Sequence, residues 1–337
     1  MTWLALDIGG ANLKAANGLG FASSTYFPLW RQPEQLPTAL RQVIAESPAA
    51  EHLAITITGE LADCYATKAS GVADILNAVS QAAGGRPIRV YLNDGRLVIP
   101  EVALREPLKT AASNWHALAA FSCRYVPGEV GLLIDIGSTT TDIVPLTRLR
   151  PTQHAVVDPE RLVCGELVYT GVERSPICAV VDAFEWRGNR CPVSHELFAT
   201  TQDAYVMLGE LPEDANNKET ADGRPLTKVA ARDRLARCIC ADRQMFDEHD
   251  AMVAAEAVEQ AQLVLLEKAA HQVFTNLPDV PHTVVVSGRG EFLARKLIEH
   301  IPLEAQVVLL REVLGRSVSQ AAAAHALAVL AREGKQP

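Results

Sequence analysis

The chain has 337 residues, a mass of 36.4 kDa and a formal net charge of −9 at pH 7. An acidic chain without a basic run is not expected to bind nucleic acid, and no apolar run approaches the roughly 18 residues of a membrane span. The length is sufficient for two domains with separate cores.

The N-terminus leads straight into a strand pattern at Trp3, which leaves no room for a signal peptide, so we expect a cytoplasmic protein. A reducing compartment and an odd number of cysteines, seven, argue against disulfides. Zinc ligands could come from Cys178, Cys238, Cys240 and Cys191 with the nearby His195, but their spacing is not that of a recognised zinc site. Cysteine is also a common buried small hydrophobe, and we favour that interpretation over a structural metal. The sequence leaves monomer and homodimer open.

From Trp3 to about Val98, short apolar strands alternate with helical segments, an order typical of a sheet with helices on its faces. After the first strand, at Leu4 to Ile8, the expected strands are Leu53–Ile57 and Ile88–Leu92. The expected helices are Pro37–Glu46 and Ser70–Ala83, the second closed by two glycines.

Two of these strands end in polar residues. Glu60 and Asp63 follow one strand, and Asn93 and Asp94 follow the other. Loops at the carboxyl ends of parallel strands line the ligand crevice in α/β sheets, so these side chains are candidates for substrate or metal contacts. The alternative is a helix start at Glu60 and an ordinary turn at Asp94, and both interpretations stay open.

A helix at Ala111–Phe121 leads into the second half, where Gly131 to Val144 predicts a buried strand, a turn of Gly and hydroxyl residues, and a second strand from Asp142. This segment repeats the N-terminal one, because Asp135-Ile136-Gly137 lies 128 positions after Asp7-Ile8-Gly9. We predict two facing loops that hold one polyphosphate, with Mg²⁺ between Asp7 and Asp135. The loop residues are Gly9, Gly10, Asn12, Lys14, Gly137, Ser138, Thr139 and Thr140.

Gly165 to Val172 predicts a loop in which Tyr169, Thr170 and Gly171, with Arg174 close by, contact substrate; a capped turn is the alternative. Loop-forming residues from about 187 to 245 indicate an insertion. Three helices are expected at His195–Leu208, Leu226–Cys238 and near Glu248–Phe274. The last of these should bury a stripe of Ala254, Val258, Ala261 and Leu265.

Near the C-terminus, a strand at Thr283–Val286 ends at Gly288 and Arg289, which are candidates for phosphate contacts. A helix to about His300, a strand at Ala305–Leu309 and a last helix at Val318–Arg332 follow. We expect a first lobe at residues 1–125 and a second at 126–337, with the last helix packed back on the first lobe.

The paired Asp-Ile-Gly loops resemble the phosphate-1 and phosphate-2 loops of the actin, Hsp70 and sugar-kinase superfamily. The resemblance implies an α/β fold of two lobes built from duplicated ribonuclease-H-like domains. More narrowly, residues 7–14, 165–172, 196–201 and 220–225 are similar to hydantoinase/oxoprolinase-related proteins associated with tetrahydromethanopterin-linked one-carbon transfer. A further piece at 286–294 extends the similarity over nearly the whole chain.

This resemblance implies a transferase of methanofuran biosynthesis that joins a furanmethyl diphosphate to a tyramine- or tyrosine-type phenol and releases diphosphate. The implied catalytic residues are Lys14, Glu60, Asp63 and Asp135, with Mg²⁺ as cofactor. The wider superfamily implies two alternatives, an ATP-dependent small-molecule kinase or ATPase and a non-catalytic nucleotide-binding regulator. Arg289 stands where a small residue usually lets adenine approach, which weighs against ATP.

Overall fold

A computed structural model describes residues 1–128, 130–301 and 303–334, and two sheets form its frame. Residues 335–337, the end of the predicted second lobe, lie outside the described residues. The first half of the chain contributes β1 (Trp3–Gly9), β2 (Asn12–Ala16), β3 (Ala22–Tyr26), β4 (His52–Thr58), β5 (Ile88–Tyr91) and β6 (Leu97–Val98). These strands form one sheet in the order β3-β2-β1-β4-β5-β6.

Helices cover this first sheet, and together they make up what we call the first lobe. They are α1 (Leu36–Glu46), α2 (Lys68–Ala82), α3 (Pro100–Ala103) and α4 (Pro107–Thr110). A capping box between Thr67 and Ser70 starts α2. The next helix, α5 (Asn114–Ser122), starts later than the predicted Ala111, because Ala112 takes a left-handed φ of 47° that a helix cannot contain.

The second half contributes β7 (Gly131–Ile136), β8 (Thr141–Leu146), β9 (Leu167–Val168), β10 (Ala183–Trp186), β11 (Asn189–Pro192), β12 (Thr283–Ser287) and β13 (Gln306–Leu309). Five of them form a sheet in the order β13-β12-β7-β8-β9, and β10 and β11 form a separate hairpin. In both sheets the strand that carries the Asp-Ile-Gly motif has an antiparallel neighbour on one side and a parallel neighbour on the other. The duplication predicted from the sequence therefore extends to the pairing of the strands.

The helices of the second half are α6 (Asp158–Cys164), α7 (Thr201–Leu208), α8 (Lys228–Cys238), α9 (Glu248–Thr275), α10 (Glu291–His300), α11 (Leu310–Leu314), α12 (Arg316–Ser319) and α13 (Ala322–Glu333). The predicted helix start at His195 is wrong, because the capping box of Thr200 and Asp203 starts α7 at Thr201. The predicted last helix is interrupted, so that only its second part is the long α13.

The long helix α9 buries a different stripe from the predicted one. Ala254 and Val258 are buried, but Leu265 is 40% exposed, and Gln262 and Leu266 lie inside instead. Gln262 is fully buried because its amide is hydrogen-bonded to the hydroxyl of Tyr205, 2.6 Å away, and to neighbouring backbone. A pattern based on apolar residues alone cannot predict that a polar residue such as Gln262 lies on the buried face of the helix.

Two helices, α5 and α13, lie between the sheets. Ala326 and Val329 of α13 belong to the core of the second sheet, and Leu327 and Ala328 pack with Ala5 of the first. Among the described residues, no helix combines the length and apolarity of a membrane span. The lobe boundary near residue 125 and the insertion at about 187–245 stay predictions.

Candidate functional site

A cleft of about 500 Å³ lies between the two lobes, and both Asp-Ile-Gly turns line it. The first turn joins β1 to β2, and the second joins β7 to β8. The backbone N–H of Gly137 donates to the carbonyl of Thr140 at 2.8 Å, which closes the second turn tightly. Backbone N–H groups and hydroxyls of such turns are suited to anionic oxygens. The lining residues of the two turns are Gly9, Gly10, Ala11, Asn12, Gly137, Ser138, Thr139 and Thr140.

Three aspartates form the floor of the cleft. Asp7 is only 3% exposed, and burial raises its pKa. Asp135 is partly accessible from the cleft but enclosed on its other sides; burial and the charge of Asp142 raise its pKa to about 6. Asp135 and Asp142 are partners across β7 and β8. Two buried carboxylates so close together favour binding of a cation or of a proton between them.

Lys14 lies on β2 directly across from Asp7, as its partner in the antiparallel pair. Over the residues that the structure describes, no carboxylate lies within ion-pair distance (4.0 Å) of its ammonium group. Its charge nevertheless lowers the pKa of Asp7 and of Asp135. An ammonium group that lines the cleft without a close carboxylate is available to a ligand anion.

A buried cation that the sequence analysis missed is Arg161 of α6, which is 1% exposed. It lies 2.9 Å from Asp142, donates at 2.9 Å to the carbonyl of Glu166, and stacks on Trp115 with 3.8 Å to the ring centroid. Asp142 is thus paired, whereas the other two aspartates of the floor, Asp7 and Asp135, have no ion-pair partner among the described residues. The only sequence signal was Asp142 itself, which occupies the position of Lys14 in the repeat.

Glu60 follows β4 and is 2% exposed at the cleft wall. One of its oxygens lies 3.7 Å from the Lys68 ammonium, and the other has no hydrogen-bond partner among the described residues. Burial raises its pKa to about 7, although the charge of Lys68 opposes this shift. Lys68 also contacts Asp158 of α6 at 2.5 Å, so this ion pair joins the first lobe to the second. Asp63 lines the same cleft but is exposed.

The structure does not bring Asn93 and Asp94 to this cleft. Asn93 is buried, and its amide donates to the carbonyls of Leu108 and Val156 at 3.3 and 3.4 Å. Asp94 pairs with Arg96 at 2.8 Å and with Lys109 at 3.1 Å, away from the cleft. Both side chains organise the surrounding loops, as the turn interpretation of this segment implied.

The loop predicted at Gly165 to Val172 contributes Leu167 and Tyr169 to the cleft, and Tyr169 is 66% exposed. Thr170 is buried and accepts a hydrogen bond from Gln262 at 2.7 Å. A Cβ atom on Gly171 would lie 2.5 Å from the backbone nitrogen of Thr139. Thr170 and Gly171 therefore pack behind the second turn and hold it in place, and they do not line the cleft.

Gly288 and Arg289 also lie outside the lining of the cleft. Gly288 has a φ of +94°, and a Cβ there would lie 2.1 Å from the carbonyl oxygen of Ile136, so glycine is required for the close approach to β7. Arg289 is 56% exposed and pairs with Glu173 at 2.9 Å. Gly288 therefore packs directly against the second Asp-Ile-Gly segment, but neither Gly288 nor Arg289 lines the cleft.

A sequence model of the hydantoinase/oxoprolinase family matches residues 51–332. The chain belongs to this family. A relative from Methanocaldococcus jannaschii, named (4-{4-[2-(gamma-L-glutamylamino)ethyl]phenoxymethyl}furan-2-yl)methanamine synthase, is 32% identical over 332 residues, 97% of this chain and 96% of the relative. A protein of the same name from Methanococcus vannielii is 25% identical over 206 residues, 59% of this chain and 89% of that one.

Solved structures resemble this hydantoinase/oxoprolinase-family protein in fold alone. A chain of a PilM–PilN type IV pilus biogenesis complex has a TM-score of 0.50 and 14% identity, with 97% of each chain covered. A putative N-acetylmannosamine kinase from Listeria monocytogenes has a TM-score of 0.47 and 14% identity, covering 99% of this chain and 100% of the kinase. The predicted α/β fold with one sheet in each half of the chain is confirmed.

The mouth of the cleft in this family member carries two side chains from opposite lobes. The guanidinium of Arg174 lies 5.1 Å from the ring centroid of Trp30, and both line the cleft. Nearby, the hydroxyl of Tyr26 donates to Glu219 at 2.5 Å, which ties the loop before α8 to the first lobe. Arg174 lies close to the predicted substrate loop in the sequence, but no local pattern marks Trp30 as a cleft residue.

The donor set of the cleft fits one kind of metal ion. Over residues 1–128, 130–301 and 303–334, no three His, Cys, Asp or Glu side chains lie together to form a metal site of protein ligands alone. Asp7 and Asp135 face the same cleft, and the charge of Asp7 contributes to the raised pKa of Asp135. Two carboxylates suit Mg²⁺, which takes its other ligands from phosphates and water.

Proposed function

We propose that this protein joins a furanmethyl diphosphate to the hydroxyl of a tyramine- or tyrosine-type phenol and releases diphosphate, as a step in the synthesis of a methanofuran-type cofactor. The observation that carries the proposal is a single cleft that holds two anion-binding turns and a buried carboxylate with a free oxygen. The name of the Methanocaldococcus jannaschii relative describes a matching product, in which a phenoxymethyl ether links a phenyl ring to a furan. Both substrates are small molecules, and a cytoplasmic location is part of the proposal.

The leaving diphosphate is bound by the two turns in this proposal. Its oxygens accept hydrogen bonds from backbone N–H groups and from Ser138, Thr139 and Thr140, and Lys14 adds a positive charge. Negative charge grows on the diphosphate as the methylene carbon–oxygen bond breaks, so preorganised donors at this position lower the barrier. Mg²⁺, held by Asp7 and Asp135, would neutralise part of the same charge when bound.

The acceptor is activated by Glu60. The phenol oxygen forms the new bond to the furanmethyl carbon, its proton passes to the Glu60 carboxylate, and the electron pair of the broken bond leaves with the diphosphate. A base with a pKa near 7 is well matched to this transfer at neutral pH. Asp63, the alternative base, lines the same cleft but is exposed rather than buried.

The reaction consumes no nucleotide, and this separates it from a kinase. The test is incubation of the purified protein with furanmethyl diphosphate, a tyramine derivative and Mg²⁺ without nucleotide. Released diphosphate and the ether, detected by mass spectrometry in equal amounts, are the expected result. A requirement for ATP, with ADP and a phosphorylated acceptor as products, would instead establish the kinase alternative. Absence of any product with or without ATP would favour the regulator.

A further inference from the structure

A second cavity of about 300 Å³ adjoins the cleft, and we call it the side chamber. It shares Ala112 and Asp158 with the cleft and none of the residues of the two anion-binding turns. Lys68 also lines it. The remaining lining is apolar and consists of Leu108, Ala111, Val156, Val157 and Pro159. The side chamber is therefore an apolar extension of the cleft on the side away from the anion loops.

The two walls of the side chamber come from distant parts of the chain and are held together. Leu108 belongs to α4, and Val156 to the segment before α6. The buried amide of Asn93 donates to the carbonyls of both residues, at 3.3 and 3.4 Å. A buried amide that bridges both walls fixes their separation, so the chamber is a built feature rather than a gap between loosely packed loops.

The entrance to the side chamber lies next to the proposed base. Lys68 contacts Asp158 at 2.5 Å and lies 3.7 Å from Glu60. The unpartnered oxygen of Glu60 is buried, and a hydrogen-bond donor brought from the chamber would satisfy it. A ligand with an apolar body and a single hydroxyl at one end fits this arrangement of apolar wall and polar entrance.

We propose that the side chamber binds the aromatic ring of the phenolic acceptor, with the phenol hydroxyl at Glu60. This inference rests on the proposed function, which supplies a phenol as acceptor. The donor does not compete for the chamber, because its diphosphate is bound by turns that contribute nothing to the lining. A flat ring of six carbons fits within a cavity of about 300 Å³ and buries its apolar faces there.

The test narrows the chamber with Val156→Phe. Val156 is 37% exposed, so the fold has room for the larger side chain. Val264→Phe is the matched control, because Val264 lies on α9 and is 54% exposed. Val156→Phe should raise the KM of the phenolic acceptor about tenfold or more, while the KM of furanmethyl diphosphate stays unchanged. An acceptor KM equal to that of the control variant would overturn the assignment.

A binding measurement separates failure of this inference from failure of the proposed reaction. Saturation-transfer NMR with 4-ethylphenol as the probe needs no turnover; the wild type and Val264→Phe should show ring contacts that Val156→Phe loses. If they do but no ether forms in the activity assay, the aryl site stands and the proposed reaction fails. If the ether forms but Val156→Phe changes neither probe binding nor acceptor KM, the reaction stands and the aryl site is wrong.

Discussion

Glu60 illustrates how burial tunes a single carboxyl group. Burial raises its pKa to about 7, so the carboxylate that can accept a proton accumulates as pH rises through 7. We expect kcat/KM of the wild type to rise over the same range. Glu60→Gln keeps the size of the side chain but cannot take a proton, and it should lower kcat/KM by about 10²–10⁴ and flatten the profile between pH 6 and 8.

The thermal stability of Glu60→Gln is a useful control, because the pKa of Glu60 predicts the direction in which the stability should change. Because the pKa of Glu60 is higher in the folded than in the unfolded protein, this group makes folding less favourable as pH rises towards 7. Glu60→Gln should therefore unfold at the same or a higher temperature than the wild type at pH 8. In the activity measurements, a rise of kcat/KM with pH that survives in Glu60→Gln but disappears in Asp63→Asn would identify Asp63 as the base.

In the proposed reaction, Lys14 acts through its charge at the leaving group. Removal of one preorganised donor at a developing anion typically costs about 3 kcal/mol, so Lys14→Ala should reduce turnover by a factor on the order of a hundred. Steady-state release of diphosphate measures the effect. Lys268→Ala, at an exposed position on α9, is the matched control and should leave turnover unchanged. Equal rates for the two variants would remove Lys14 from the site.

At the scale of elements, α2 positions Glu60 through a glycine. A Cβ on Gly71 would lie 2.3 Å from the carbonyl oxygen and 2.8 Å from the Cα of Glu60. Gly71→Ala should therefore push the Glu60 backbone towards the cleft, lower stability by ~1–3 kcal/mol and reduce turnover. Thermal unfolding and diphosphate release measure the two effects. Gly128→Ala, where a Cβ meets nothing within 4 Å, should change neither.

The strand–turn elements of the site could be predicted because their signal is local. Asp7 and Asp135 each end a run of apolar residues and precede glycine, so the repeat, its two turns and the shared cleft follow from the sequence. The start of α7 at Thr201 depends on a capping box, and the late start of α5 depends on the left-handed Ala112; apolar periodicity registers neither.

The side chains that complete the site could not be predicted in the same way. Arg161 and Trp115 reach the cleft, and Lys68 reaches the side chamber, from helices whose packing is set by the whole fold. The repeat itself carries one hint, because the partner of Asp7 across its strand pair is Lys14 and the equivalent partner of Asp135 is Asp142. A cation in one half is thus replaced by an anion in the other, and a buried arginine has to compensate for it.

At the scale of the molecule, α13 makes the two lobes depend on one helix. Ala322, Ala326 and Val329 pack in the core of the second sheet, and Leu327 and Ala328 pack in that of the first. All residues from Ala322 to Ala331 are buried, so α13 has no solvent-facing side over that length. Loss of either lobe would expose one side of an apolar helix, and this cost couples the unfolding of the two cores.

We therefore expect Ala328→Leu to destabilise both lobes together, although Ala328 packs against the first sheet only. The added carbons overfill a fully buried site and should cost ~1–3 kcal/mol. Hydrogen exchange in increasing denaturant should show His52–Thr58 and Gly131–Ile136 losing protection at one shared, lowered midpoint. Ala73→Leu, at an exposed position of α2, should leave that midpoint in place. If only His52–Thr58 shifts, each lobe holds its own core, and α13 is attached to the first lobe without coupling it to the second.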